Sequence, residues 1–386
     1  MEEKKYSIVY TSNFLNHYQL ALGKALNKEF KSYKFVAWDK LPKERAKLGF
    51  YDLNDNEFVI KAYEDKELAR KTIIDADVVL GGYYLYENHM CERIKKGKLT
   101  LYSSERLFKT KNIIGMILRY VKYWTKYHKL YNNIPLLCVS AYAADDYNRI
   151  FNLFNNRTYK WGYFSEVKKY DDIDKLINEK KDNSIIWTGR LIKWKHPEYV
   201  IEVAKILKKK RYDFSIEIIG TGPLERKLKS LIIENKLDNN VFMLGSMNPK
   251  EVRKKMEESQ VYLFTSDRGE GWGVVLNEAM NSACACVASY SAGSTPYLIK
   301  DNENGLVYKS NNVDDLIRKT ELLLNNIELQ KSICRKAYET MTNEWSPEVA
   351  AKRLYLFVDA MMNNKDYSNI FNDGILSKAD RIKDLV

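Results

Sequence analysis

Glu270 and Glu278 bracket a run, Gly269-Glu270-Gly271-Trp272-Gly273-Val274-Val275-Leu276-Asn277-Glu278, in which turn residues give way to a helical pattern. Val261-Tyr262-Leu263-Phe264 before it is a short apolar run of strand type, and Thr265 to Gly273 holds three glycines. From Gly273 onward Leu276, Ala279, Met280 and Ala283 share one helical face. Strand, Gly-rich loop and helix in that order form an anion seat. The first N–H groups of the helix have no internal partner, carry the positive end of the dipole, and are approached closely where the loop is glycine. Two carboxylates beside such a seat repel a bare phosphate, but they suit a phosphate joined to groups with hydroxyls to donate, such as ribose and a sugar. The plainer alternative makes Glu270 a helix N-terminal charge and Glu278 part of a solvated face.

The block resembles the Glu-x7-Glu signature of the retaining nucleotide-sugar glycosyltransferases of family four. The match continues through Cys286-Val287-Ala288-Ser289, Ala292-Gly293-Ser294 and Glu303-Asn304-Gly305-Leu306-Val307-Tyr308. The resemblance implies the GT-B fold: an α/β chain of two Rossmann-like domains facing across a cleft, with a C-terminal helix crossing back to the first. It implies that Glu270, Gly271, Trp272, Gly273, Val274 and Glu278 bind a nucleoside-diphosphate sugar, with Glu278 on the ribose and Glu270 on the sugar as a catalytic residue. Arg190 and Lys195 match the family's diphosphate-binding pair, although the family usually has Lys-Gly where this chain has Lys195-His196. Two cations can neutralise the charge that grows on a departing diphosphate, so no metal or other cofactor is required. Gly220 and Gly222, and Gly245-Ser246, match loops near the nucleotide and act there through backbone.

The first half is less specific. Asn13-Phe14-Leu15-Asn16-His17 fills the first strand-to-helix loop, where the family approaches the transferred sugar and acceptor. Asn13, Phe14 and His17 are therefore acceptor-side candidates, with His17 assisting the acceptor hydroxyl; the alternative is a helix-capping polar cluster around Asn13 and Asn16. Glu105 ends a strand and so faces the cleft as a third catalytic candidate, or pairs with Arg106. Asp75-Ala76-Asp77 has the metal-binding Asp-x-Asp pattern but precedes its strand.

Composition narrows the classes. The 386 residues suit two domains, and no run approaches the length of a transmembrane helix. Cys91, Cys138, Cys284, Cys286 and Cys334 show neither disulfide nor metal spacing, and His17, His89, His128 and His196 are scattered. A reduced, cytoplasmic location is expected, with peripheral attachment to the inner face of the plasma membrane as an extension. Through Glu166 there are 28 Lys and Arg against 19 Asp and Glu, so most of the +12 net charge lies in the first half. Seven of these cations fall in the acid-free run from Arg106 to Lys129. A helical projection puts Ile113, Ile117, Tyr120, Val121, Trp124 and Tyr127 on one side, read as packed in the core. Arg119, Lys122, Lys126 and Lys129 lie opposite, as a wet face or one that docks electrostatically on anionic lipid.

The elements that position these residues alternate throughout. Strands near Tyr6–Tyr10, Tyr33–Trp38, Glu57–Lys61, Val78–Leu80, Lys98–Tyr102, Leu136–Val139 and Tyr159–Trp161 are separated by helices, as in a doubly wound parallel sheet. The expected divisions are an acceptor-side domain over 1–167 and a linker over 168–183. A nucleotide-sugar-binding domain follows over 184–345, then a kinked helix and polar surface tail over 346–386, with Pro347 at the kink. The reading is retaining transfer of a sugar, a UDP-sugar in first place, to a glycan or lipid-linked acceptor, in a bacterial surface polysaccharide or glycolipid setting. No enzymic nucleophile stands out, so the departing phosphate is expected to take the acceptor proton. A nucleotide-sugar 2-epimerase of the same fold and, from another class, a basic nucleic-acid-binding protein are the alternatives.

Overall fold

The computed structural model describes residues 4–42, 52–82, 88–109 and 113–383. The chain divides into two compact units. The first takes the chain up to Glu166 and again from Trp345 to Lys383, and the second takes Val167–Glu344.

The first unit contains β1 (Ser7–Ser12), α1 (His17–Glu29), β2 (Ser32–Ala37), β3 (Val59–Lys61), α2 (Lys66–Asp75) and β4 (Val78–Gly81). It continues with α3 (Asn88–Lys95), β5 (Thr100–Ser104), α4 (Ile113–Tyr131), β6 (Leu136–Cys138), α5 (Ala143–Asn148) and β7 (Thr158–Lys160). The sheet is parallel in the order β3-β2-β1-β4-β5-β6-β7. Its direction of winding reverses between β1 and β4, the place where open parallel sheets leave a crevice. β4 is buried at every position, as a strand covered on both faces must be. Asn16 and Gln19 form a capping box that starts α1 directly after that crevice.

In the second unit α6 (Ile173–Asn178) and β8 (Lys181–Thr188) come first, followed by α7 (Glu198–Lys209), β9 (Ser215–Ile219), α8 (Glu225–Glu234) and β10 (Val241–Gly245). Next are α9 (Pro249–Glu258), β11 (Ser259–Phe264), α10 (Val275–Asn281), β12 (Ala285–Ser289), α11 (Thr295–Leu298), β13 (Leu306–Tyr308), α12 (Val313–Asn325) and α13 (Ile327–Glu339). The parallel order is β10-β9-β8-β11-β12-β13, with the reversal between β8 and β11.

The segment expected as a linker is part of this unit. It folds into α6 and the start of β8, and Lys168 N–H donates to Asn281 Oδ1 at 2.9 Å. Buried Lys180 donates to the carbonyls of Met256, Glu257, Ser259 and Ser282 at 2.9–3.0 Å. A buried ammonium is tolerable only when its donors are used, and here one side chain ties three segments together.

The last helix, α14 (Pro347–Met362), belongs to the first unit and packs against α1. Ser346 caps it and Pro347 occupies its first turn, where a missing N–H costs nothing. The tail beyond it is not simply a surface segment. Leu376 N–H donates to Lys160 O, Lys160 N–H to Ser377 O, and Ala379 N–H to Thr158 O, which covers the exposed edge of β7. Ile375, Leu376 and Ala379 are buried in the process.

The helix α4 is also turned differently from expectation. Tyr123 is buried and Met116, Tyr120 and Leu130 pack partly against the core, whereas Ile117, Val121 and Trp124 are exposed. The side chains of Ile113, Lys126 and Tyr127 lie outside the described residues.

Candidate functional site

In the second unit the candidate residues gather at the C-terminal ends of β8 and β11, neighbours on either side of the reversal. A backbone lattice fixes the loops. Gly189 N–H donates to Ile219 O, Leu191 N–H to Thr221 O, and Gly220 N–H to Gly245 O. Gly220 must be glycine, because a Cβ there would stand 1.9 Å from the Gly189 carbonyl oxygen. Across the reversal Asp267 N–H donates to Trp194 O, Thr265 Oγ1 to Lys195 O, and Trp187 Nε1 to Thr265 Oγ1. The loop carrying Lys195 is thus tied to the loop carrying Glu270.

Lys195 and Glu270 meet. Lys195 Nζ donates to Glu270 Oε2 at 2.5 Å, and Ser266 Oγ donates to the same oxygen at 3.2 Å. Both side chains keep a small solvent-facing fraction. Arg190 is exposed nearby, its guanidinium 5.7 Å from the centre of the Trp194 ring. Gly273 has φ +88°, and a Cβ there would strike the Phe264 ring at 2.3 Å. Trp272 is 1% exposed and its indole donates to Asn277 Oδ1, so only its backbone is offered to a ligand. Glu278 is half-buried on α10. That helix has seven residues, fewer than the sequence pattern suggested, so an anion here would rest more on the loop and the cations than on a helix dipole.

His196 was not a candidate, yet it anchors the same loop. Its backbone is left-handed at φ +46°, which explains why glycine suits this position. The imidazole lies against Tyr199, with Nδ1 3.0 Å from Glu198 Oε1 and Nε2 3.1 Å from Asp267 Oδ2. Burial pulls its pKa down, but the hydrogen bonds with Asp267 and Glu198 outweigh it and raise the value from 6.5 to about 9. The departure from Lys-Gly was the sequence signal for this group.

In the first unit a cavity of about 350 Å³ opens at the reversal, lined by Tyr10, Asn13, Gln19, Ser103, Glu105 and Tyr163 among others. Glu105 accepts hydrogen bonds from Tyr163 OH at 2.8 Å and from Lys109 Nζ. Burial and the Glu105 charge hold the Tyr163 phenol well above its usual range, so it stays a donor. Arg106 is buried, 3.8 Å from Asp146, with its guanidinium over the Tyr142 ring. Asn13 therefore joins Glu105 on the cavity wall, whereas Phe14 and His17 do not line it. His17 opens α1 and lies edge-on to Tyr18, which in turn contacts Tyr163. Asp77 takes both the N–H and the hydroxyl of Ser7, which ties together the starts of β1 and β4. That is the sheet edge opposite the crevice, and Asp75 ends α2. Among the described residues no three His, Cys, Asp or Glu side chains come together as a metal site would need.

Two parallel-sheet units of this topology define the GT-B class, and solved structures agree. The Anabaena protein HepE, crystallised with UDP, superposes with a TM-score of 0.69 over 92% of this chain and 100% of its own, at 12% identity. Residues 168–340, nearly all of the second unit, match the family model described as "Glycosyl transferases group 1". An uncharacterized glycosyltransferase of Methanocaldococcus jannaschii is 27% identical over 72% of this chain and 73% of its own. The poly(ribitol-phosphate) alpha-N-acetylglucosaminyltransferase of Staphylococcus aureus is 31% identical over 44% of this chain, which spans about a third (34%) of that longer protein.

Proposed function

We propose that the protein is a glycosyltransferase that moves a sugar from a nucleoside-diphosphate sugar, a UDP-sugar in first place, to a hydroxyl of a glycan or lipid-linked acceptor. The Lys195–Glu270 pair carries this reading. It is a nearly neutral couple at the mouth of a glycine loop, and a nucleoside-diphosphate sugar can take both members at once. Its diphosphate replaces Glu270 on Lys195, and its sugar hydroxyls replace Lys195 on Glu270. Arg190 supplies the second cation, and Glu278 accepts from the ribose. Gly220, Gly222, Gly245 and Ser246 border the nucleotide through backbone. On the acceptor side the Glu105–Tyr163 cavity, with Asn13 on its wall, suits hydroxyl-rich ligands.

The transfer proposed is retaining and needs no metal. With the donor bound, Glu270 is taken up by sugar hydroxyls and Ser266, and no other enzymic nucleophile stands out, so the departing phosphate oxygen accepts the acceptor proton as its bond to the sugar breaks and the new glycosidic bond forms on the same face. The UDP complex of HepE and the acetylglucosaminyl specificity in the staphylococcal relative's name support UDP as the first nucleotide to try. Relatives named as transferases lend no weight to an epimerase or a nucleic-acid-binding module.

The test is a thermal-shift series with UDP, GDP and their sugars, followed by nucleotide-release assays with and without EDTA. A nucleotide at 100 times its Kd adds about 2.7 kcal/mol of stability. No stabilisation by any nucleoside diphosphate would sink the reading, and loss of activity in EDTA restored by Mg²⁺ would sink its metal-independent form.

A further inference from the structure

The helix α4 has two apolar faces, and only one is used by the fold. Met116, Tyr120, Tyr123 and Leu130 face the first unit's core. Ile114, Ile117, Leu118, Val121 and Trp124 form a second stripe that is 49–72% exposed. At 3.6 residues per turn these five lie within roughly a third of the helix circumference and run along three turns. Phe151 extends the stripe. It is 57% exposed, and its ring centre is 5.8 Å from that of Trp124. Its backbone is left-handed at φ +47°, an unfavourable state for a bulky residue, and it is followed by Asn152 in the same region. Arg119, Lys122 and Lys129 are exposed along one flank of the stripe, and no acid occurs from Arg106 to Lys129.

We propose that this face of α4, together with Phe151, docks in the interface of an anionic phospholipid bilayer. The apolar stripe enters the acyl boundary, and the flanking cations meet lipid phosphates. A contiguous apolar patch with a one-signed basic flank is costly in water and complementary to such a surface. Trp124 sits where an indole belongs at a lipid–water boundary. Among the described residues no helix is long and apolar enough to cross a membrane, and the stripe suits a helix lying in the plane of the interface. The same helix was expected to dock by charge alone. Its exposed stripe adds insertion, and this inference does not depend on the reaction proposed above.

Sedimentation of the full-length protein with vesicles tests it, comparing phosphatidylcholine alone with equal parts phosphatidylcholine and phosphatidylglycerol. Binding is expected only with the anionic vesicles, and high salt should weaken it without abolishing it. The variant Lys122→Gln/Lys129→Gln should lose roughly 30-fold in partitioning, about 2 kcal/mol. Leu118→Ser/Val121→Ser/Trp124→Ser alters only exposed positions, so it should fold normally and lose more than about 100-fold, including the salt-resistant part. Brominated lipid should quench emission of the parent protein more than that of Trp124→Phe. The proposal is overturned if the serine variant pellets like the parent. It is also overturned if the parent does not bind anionic vesicles, or forms a dimer that the serine variant dissociates while vesicle binding is unchanged.

Discussion

The crevice of the second unit is held by charge, whereas that of the first is lined by hydroxyls and amides around one carboxylate. In the second, Lys195, Glu270, His196, Asp267 and Glu198 form linked ion pairs over a lattice of backbone hydrogen bonds, and glycines stand where a methyl group would collide. In the first, Glu105 is held by Tyr163 and Lys109 beside Tyr10, Asn13, Gln19 and Ser103. Both sit where a parallel sheet reverses its winding, so topology places the sites and side chains decide what each can hold. A diphosphate demands cations and close backbone approach, and these leave a sequence signature. A hydroxylated ligand can be met by many combinations of polar groups.

The largest expected effect lies on the charged side. Glu270→Gln should lower turnover by on the order of 10²–10³, while affinity for the free nucleoside diphosphate stays within a few-fold. Equal loss of both, measured by transfer assay and calorimetry, would remove the distinction between sugar-reading and nucleotide-reading carboxylates.

A second expectation concerns pH. The folded pKa of His196 is raised above its unfolded value, so its stabilising contribution is complete below about 6.5 and is lost as pH rises through about 9. The interval corresponds to at most roughly 3 kcal/mol. Urea unfolding between these limits should show the decline in the parent protein and a much flatter profile in His196→Gly, which suits the left-handed backbone. Parallel profiles would show that the clamp adds nothing.

Glu278→Ala should weaken nucleoside-diphosphate binding by roughly 10- to 150-fold, the worth of a charged hydrogen bond. Calorimetry showing unchanged affinity in the folded variant would reject its ribose role. The smallest effect is expected from Glu105→Gln, which keeps the shape of the cavity and one acceptor. Once an acceptor is known, its KM should rise by no more than about tenfold, near 1.4 kcal/mol, with nucleotide binding untouched. A loss as large as that of Glu270→Gln would erase the contrast between the two crevices.

The sequence made the strand–helix alternation readable because buried parallel strands such as Val78–Gly81 are short apolar runs and caps such as Asn16 and Ser346 mark helix starts. It also singled out Lys195 and Glu270, whose side chains the structure brings together and whose loops lie beside glycines that a Cβ would disrupt. Features held by unlike partners were hidden. Lys180 reads as a solvated linker lysine, since nothing local reveals the four carbonyls it serves. The tail's pairing with β7 uses backbone, and Ile375, Leu376 and Ala379 are too few to show a period. With apolar residues on two sides of α4, periodicity could not say which side met the core. The three-residue strand β13 and the short, polar α3 gave no pattern long enough to read.

The first unit is assembled from two separate stretches, one running up to Glu166 and one starting at Trp345, and the second from one continuous stretch. During synthesis from the N-terminus, the second unit is complete once Glu344 has emerged. The first must wait for α14 to cover α1 and for residues 375–379 to close the edge of β7. Until then it presents an open strand and an uncovered helix, the kind of surface that invites misassembly. A ribosome-bound chain halted with Glu344 just outside the exit tunnel should therefore carry a protease-resistant second unit and a sensitive first one, with resistance spreading to the first only after residues 345–383 have emerged.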